Sequence, residues 1–88
     1  MKSFTNNQQL FDYLLGLSSE LKKRGLLELN EVVVFASRHA SGMSTEFLGE
    51  SRIALKRVLQ QGKDALTEQE RNDLSDVLRQ LDMALDKR

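Results

Sequence analysis

Leucines recur along the first part of the chain at the spacing of one helical face. Leu10, Leu14, Leu17 and Leu21 follow one another at intervals of four, three and four residues, which places them on a single stripe of an α-helix. Three cations come next, and positive charge is favourable at the C-terminal end of a helix. The pattern predicts a first helix over residues 6–24.

The next apolar segment has no amphipathic period. Residues 32–36 read Val-Val-Val-Phe-Ala, and in a helix these side chains point to all sides of the axis. β-branched residues also favour strands, but no other segment of the chain offers a partner strand. We therefore predict a second helix over residues 29–40. A helix that is apolar all round is covered on more than one side: either it lies in the middle of the bundle, or another protein covers its extra face.

The third segment carries a broad apolar face over residues 45–61, and Ser44 or Thr45 is a candidate cap for its first turn. Its apolar residues are Phe47, Leu48, Ala54, Leu55, Val58 and Leu59.

The fourth segment has the clearest start. Thr67 and Glu70 have the spacing of a capping box, in which each side chain accepts a hydrogen bond from the other residue's amide. A helix over residues 68–86 follows, with a narrow seam typical of bundle packing: Leu74, Val77, Leu78, Leu81, Ala84 and Leu85.

Gly25, Gly42 and Gly62 each follow a helical segment, where a left-handed residue commonly ends a helix. The links that contain them are short, and short links favour antiparallel neighbours. The fold class predicted is all-α, a small four-helix bundle, up-and-down or orthogonal, forming a single domain over residues 1–88.

Composition narrows the function classes. The 13 basic and 13 acidic residues cancel, and cysteine is absent, which excludes disulfides, thiolate metal sites and a cysteine nucleophile. The polar residues after Phe4 contain no signal-peptide core, and the longest apolar run is far shorter than the roughly 20 residues that span a bilayer. We expect a soluble cytoplasmic protein without a membrane role.

Catalytic and metal-binding patterns are weak. His39 is the sole histidine, and no carboxylate lies three or four residues from it along the chain, so it is interpreted as a polar residue near a helix end. Ser37 and Ser41 lack the base and orienting group that a nucleophile needs. Gly62 lacks the upstream glycine of a phosphate-binding loop. We expect no enzyme activity, metal or cofactor, and infer no small-molecule substrate.

Two carboxylate pairs, Glu46/Glu50 and Asp82/Asp86, are each spaced by four residues and could share a cation. A di-metal bundle would add Glu-x-x-His motifs, which the chain lacks. The first pair suits a helix N-terminus. The second is expected to rely on the nearby cations Arg79, Lys87 and Arg88.

Surplus apolar residues give the leading functional hypothesis. Val34, Phe35 and Ile53 fall off the inward faces of their helices, and Ile53 lies close to the small residue Gly49. A surface of this kind suits another helix, so we expect a non-enzymatic protein–protein interaction module. Its partner would be another protein or a second copy of the chain in a homodimer.

A basic strip on the third helix is a candidate rim for an acidic partner. It consists of Arg52, Lys56 and Lys63, and solvation alone is the simpler interpretation.

A helix-turn-helix DNA-binding regulator is the alternative. Residues 31–61 have its helix–turn–helix outline. However, the recognition helix would bring Glu46 and Glu50 towards phosphate, and the net charge is zero. Binding to nucleic acid is therefore disfavoured.

Overall fold

Four helices make up most of the chain in the computed structural model, which describes residues 4–86. Two short 3₁₀ helices, Arg38–Ser41 and Lys63–Ala65, follow the second and third helices. No strand occurs among these residues, so the all-α prediction is confirmed and the valine-rich run is helical. The helices are α1 (Asn7–Lys23), α2 (Leu27–Ser37), α3 (Ser44–Gln61) and α4 (Glu68–Asp86).

Side-chain caps fix the starts of α1 and α4. The Asn6 side chain accepts a hydrogen bond from the Gln9 amide at 2.8 Å. The predicted capping box is confirmed: the Thr67 amide donates to Glu70 Oε1 at 2.8 Å, and the Glu70 amide donates to Thr67 Oγ1 at 3.1 Å. These bonds satisfy amides that have no partner within the helix. The bounds of both helices therefore lie within one residue of the prediction.

The start of α3 differs from the prediction. Neither Ser44 nor Thr45 is the cap, because Met43 occupies that position and makes no side-chain cap hydrogen bond. The Ser44 hydroxyl instead accepts from Asn7 Nδ2 at 2.9 Å, which ties the start of α3 to the start of α1.

α2 begins at Leu27, two residues before the predicted bound, and its α-helical part ends at Ser37, three residues before the predicted end. The helix starts after Leu26, a residue that provides no side-chain cap, so the start carries no polar signal. It ends at Ser37, whose hydroxyl donates to the Val34 carbonyl at 2.7 Å, and the chain then tightens into a 3₁₀ turn. Such tightening is common at helix ends.

The glycines serve different purposes. Gly25 is left-handed, with φ 78°, as predicted for a helix end. The same prediction is wrong for Gly42 and Gly62, which have negative φ. At Gly62, an added Cβ would lie 2.9 Å from Leu29 Cδ1 and 3.0 Å from the Val58 carbonyl oxygen. Close approach of α2 is the reason for this glycine.

Contacts at both ends of α2 show that it runs antiparallel to α3. Glu28 binds Arg57 near one end, and His39 lies beside Glu46 just beyond the other. An orthogonal crossing brings together only one region of each helix, so α2 and α3 are antiparallel neighbours. Two contacts, Arg52–Asp82 and Arg71–Lys63, place α4 antiparallel to α3 in the same way. α1 joins α2 through Asn30, whose Nδ2 donates to the Ser18 carbonyl at 2.8 Å.

A single leucine-rich core lies between the helices. The predicted α4 seam is buried from Leu74 to Leu81, whereas Leu17 of the α1 stripe is only partly buried. Ser51 is also in this core at 0% exposure, and its hydroxyl has no hydrogen-bond partner among the described residues. The fully enclosed apolar side chains are Leu10, Leu14, Leu21, Val33, Phe47, Leu55, Val58, Leu74, Val77 and Leu81.

Side chains connect α1 to α4 at both ends. The Arg24 guanidinium donates two hydrogen bonds to the Glu70 carboxylate, each 2.7 Å long, and a third to the Ala65 carbonyl at 2.9 Å. At the opposite end, the Phe4 amide donates to Gln80 Oε1 at 3.0 Å. These contacts close the bundle where the two helix backbones approach less closely than consecutive helices do.

Candidate binding groove between α2 and α3

A groove of about 680 Å³ lies between α2 and α3. It exists because α2 is apolar on two sides: Val33 and Ala36 face the core, and Val34 and Phe35 are left on the other side. Val32 also lines the groove from α2, and Ile53 and Ala54 line it from α3. The structure thus brings together the three apolar residues that the sequence pattern singled out.

The apolar lining of the groove is open to water. Phe35 is 56% exposed and Ile53 63% exposed, whereas Val34 is partly buried. Large hydrophobic side chains are exposed elsewhere too, but the groove unites two of them with Val34 in one concave surface. Concave apolar surfaces with a few polar groups are the usual form of binding sites.

His39 supports the position of Phe35. The two rings meet edge to face with centroids 5.1 Å apart, and His39 Nδ1 lies 3.1 Å from the Phe35 carbonyl oxygen. His39 Nε2 lies 3.5 Å from Glu46 Oε1. The sequence showed no carboxylate near His39 because Glu46 reaches it across the turn. Within residues 4–86, no cluster of three or more potential metal ligands occurs.

Charged residues of both signs surround the groove. Arg57 binds Glu28 in an ion pair at one end. Glu31, Arg38 and Glu50 also line the groove, and no ion pair engages them within residues 4–86. The groove therefore offers two unpaired acids and one unpaired base beside its apolar lining.

The basic strip predicted as a rim lies elsewhere. Arg52 points to α4 and lies 3.2 Å from Asp82, Lys56 is exposed on α3, and Lys63 begins the second 3₁₀ turn. None of these three residues lines the groove. The charges that do line it were not identified from the sequence, although Glu31 and Arg38 flank Val34 and Phe35 with a separation of seven residues.

The partners expected for Asp82 also require correction. Arg52 of α3 provides its ion pair, whereas Arg79 pairs with Asp76 one turn earlier on α4. Lys87 and Arg88, the other expected partners, lie outside the described residues. Helix packing rather than sequence proximity decides this pairing.

A smaller groove of about 250 Å³ lies between α1 and α4 around Tyr13. Burial and the negative charges of Asp73 and Glu70 raise the pKa of the Tyr13 phenol, because each disfavours the phenolate. Glu70 itself is held by Arg24 and Thr67, whose hydrogen bonds lower the pKa of its carboxyl group to about 2. Four carboxylates, those of Asp12, Glu20, Glu70 and Asp73, line this groove beside Tyr13 and Leu17.

Comparisons with protein-family models, with curated proteins and with solved structures found no match. The structure defines a four-helix bundle whose open groove between α2 and α3 is lined by equal numbers of apolar and charged residues. No helix among residues 4–86 has the length and hydrophobicity needed to cross a membrane.

Proposed function

We propose that this chain is a non-enzymatic interaction module that binds a polypeptide in the groove between α2 and α3. The observation that carries the proposal is the placement of two large exposed side chains, Phe35 and Ile53, in one concave surface. Fully burying a side chain of this size contributes about 1.5–3 kcal/mol. Since each is already partly covered, completing its burial is worth roughly 1–2 kcal/mol.

The distribution of charge supports binding rather than chemistry as the role of this groove. Glu28 and Arg57 form an ion pair at one end, and Arg38 lies directly after α2 towards the other. A catalytic constellation needs groups that converge on one reacting atom. Charges spaced along an apolar surface instead set the orientation and register of a bound chain.

Site-specific photocrosslinking in cells tests the proposal. A photoreactive amino acid at position 53 should yield a product joined to one defined polypeptide, identified by peptide mass. The same residue at Lys56, which is exposed on α3 outside the groove, is the matched control and should not yield it. Adding Phe35→Asp should abolish the product because the charge opposes burial. Equal products from both positions, or no product from position 53, would refute the proposal.

A helix-turn-helix DNA-binding regulator is the second candidate, and the antiparallel arrangement of α2 and α3 gives it less support. Within residues 4–86, two unpaired acids, Glu31 and Glu50, and one unpaired base, Arg38, line the surface between the two helices, so phosphate would meet net negative charge. Because phosphate contacts dominate non-specific affinity, a low-salt gel shift with mixed-sequence duplex distinguishes the candidates. Retarded duplex would favour the regulator, and unshifted duplex the polypeptide-binding module.

A further inference from the structure

Two unpaired charges of opposite sign line the groove, one on α2 and the other directly after its last residue. Glu31 and Arg38 are both exposed, both line the groove, and neither has an ion pair within residues 4–86. They are seven residues apart: Glu31 lies on α2, and Arg38 is its C-cap with αR backbone angles, so the two fall near the same line along the helix. Val34 and Phe35 come between them in the sequence and project to either side of that line, about 100° apart around the helix.

This arrangement is self-complementary. In the sequence, the midpoint between Glu31 and Arg38 is the same as the midpoint between Val34 and Phe35. When a second α2 lies antiparallel across that point, each acid faces a base and each apolar residue faces an apolar residue. A two-fold axis produces this relation, because a two-fold interface pairs every residue reciprocally.

Resting on the proposed function, we propose that the polypeptide bound in the groove is a second copy of this chain. The two-fold axis passes α2 between Val34 and Phe35, and Glu31 of each copy meets Arg38 of the other. The apolar groove supplies the attraction, and the two ion pairs fix the antiparallel register.

The charge balance of the groove favours this occupant. Glu28 is neutralised by Arg57 within the chain, and Glu31 and Arg38 neutralise their counterparts across the axis. Neither a strongly acidic nor a strongly basic ligand matches a surface that carries both signs. A second copy in the antiparallel orientation provides the same acid and base in reverse order, so each charge meets one of opposite sign. The arrangement assigns no partner to Glu50.

Charge inversion with rescue tests the register. Sedimentation equilibrium of the purified chain should show a reversible dimer in the micromolar to millimolar range. Glu31→Arg alone creates two Arg–Arg contacts in the dimer, and Arg38→Glu alone creates two Glu–Glu contacts. Because like charges oppose association, each variant should dimerise at least about tenfold more weakly than the wild type.

Two complementary samples should restore association. An equimolar mixture of Glu31→Arg and Arg38→Glu chains pairs opposite charges at both contacts, so a heterodimer should form with an affinity within about threefold of the wild type. The double variant Glu31→Arg/Arg38→Glu should recover the homodimer to the same extent. Lys56→Glu, an inversion on α3 outside the groove, should leave the dimer unchanged. Circular dichroism should show equal helicity for all the chains, since both positions are exposed.

The inference fails if the wild type stays monomeric at millimolar concentration, if neither the mixture nor the double variant recovers association, or if Lys56→Glu weakens the dimer equally. Crosslinking at position 53 separates this failure from that of the proposed function. A product containing a different protein leaves the polypeptide-binding role intact and removes the second copy as the occupant. A product of twice the chain mass that Glu31→Arg abolishes supports both.

Discussion

The junction between α1 and α4 gives the sharpest quantitative prediction. Glu70 closes the capping box with Thr67 and also receives two hydrogen bonds from Arg24. Glutamine at this third position of a helix still completes a capping box. Glu70→Gln therefore removes the ion pair and the charge while retaining the cap.

The magnitude follows from the pKa of Glu70, which the hydrogen bonds from Arg24 and Thr67 lower from 4.5 to about 2. At 1.36 kcal/mol per pKa unit, that difference corresponds to at most about 3.4 kcal/mol. The side chains of Arg24 and Glu70 are each 30% exposed, so solvent screening reduces the contribution. We expect Glu70→Gln to lower the free energy of unfolding by about 1–2 kcal/mol at neutral pH.

The sign of the pH dependence is fixed by the direction of the shift. Because the folded-state pKa is below the unfolded value, the stabilisation is fully present above pH 4.5 and is lost as the pH falls towards 2. Urea titrations of the wild type and Glu70→Gln across this range should therefore converge at low pH. Glu68→Gln is the control, because Glu68 lies in the same helical turn without an ion pair. An equal loss in both variants, or a loss independent of pH, would refute the reasoning.

The remaining predictions concern packing, helix propensity and capping, each measured by denaturant titration. Gly62→Ala should destabilise the fold by about 1–3 kcal/mol, because the added Cβ enters a closely packed contact. Gly16→Ala, with open space around its added Cβ, should stabilise the fold by about 0.5–1 kcal/mol through helix propensity. Equal effects of the two substitutions would contradict the packing argument. Ser51→Ala should stabilise by about 1 kcal/mol, since it removes a buried hydroxyl without a partner, and a loss of stability would indicate an overlooked hydrogen bond. Leu78→Ala should cost about 2–5 kcal/mol by leaving a cavity. Thr67→Ala should cost only about 1 kcal/mol by deleting a cap. If Leu78→Ala and Thr67→Ala proved equally mild, the account of α4 would be wrong.

The sequence predicted those parts of the fold that local chemistry determines. Asn6 and Thr67 mark helix starts with side-chain hydrogen bonds, and the leucine stripes of α1 and α4 mark the buried faces. The start of α2 after Leu26 has no such hydrogen bond. The 3₁₀ turn that follows α2 produces no recognisable spacing of apolar residues in the sequence. Gly62 does end α3, but its negative φ and its tight contact with Leu29 depend on how the helices pack, which the sequence alone does not show.

The candidate groove was predictable in part for the same reason. Apolar periodicity identifies Val34, Phe35 and Ile53 as surplus, because it depends on each helix alone. Which charges line the resulting groove depends on how α2 and α3 align against each other. That alignment places Arg57 at the groove and directs Arg52 towards α4 instead.

The most direct test of the central claim, that the α2–α3 groove is where this protein binds a second copy of itself, is a concentration series of NMR spectra. Between low micromolar and millimolar protein, the methyl and aromatic signals of Val34, Phe35 and Ile53 should shift together along one binding curve. Leu15 and Met83, which are exposed outside the groove, should not shift. Signals that stay constant throughout the series, or shifts centred on Leu15 and Met83, would contradict the account.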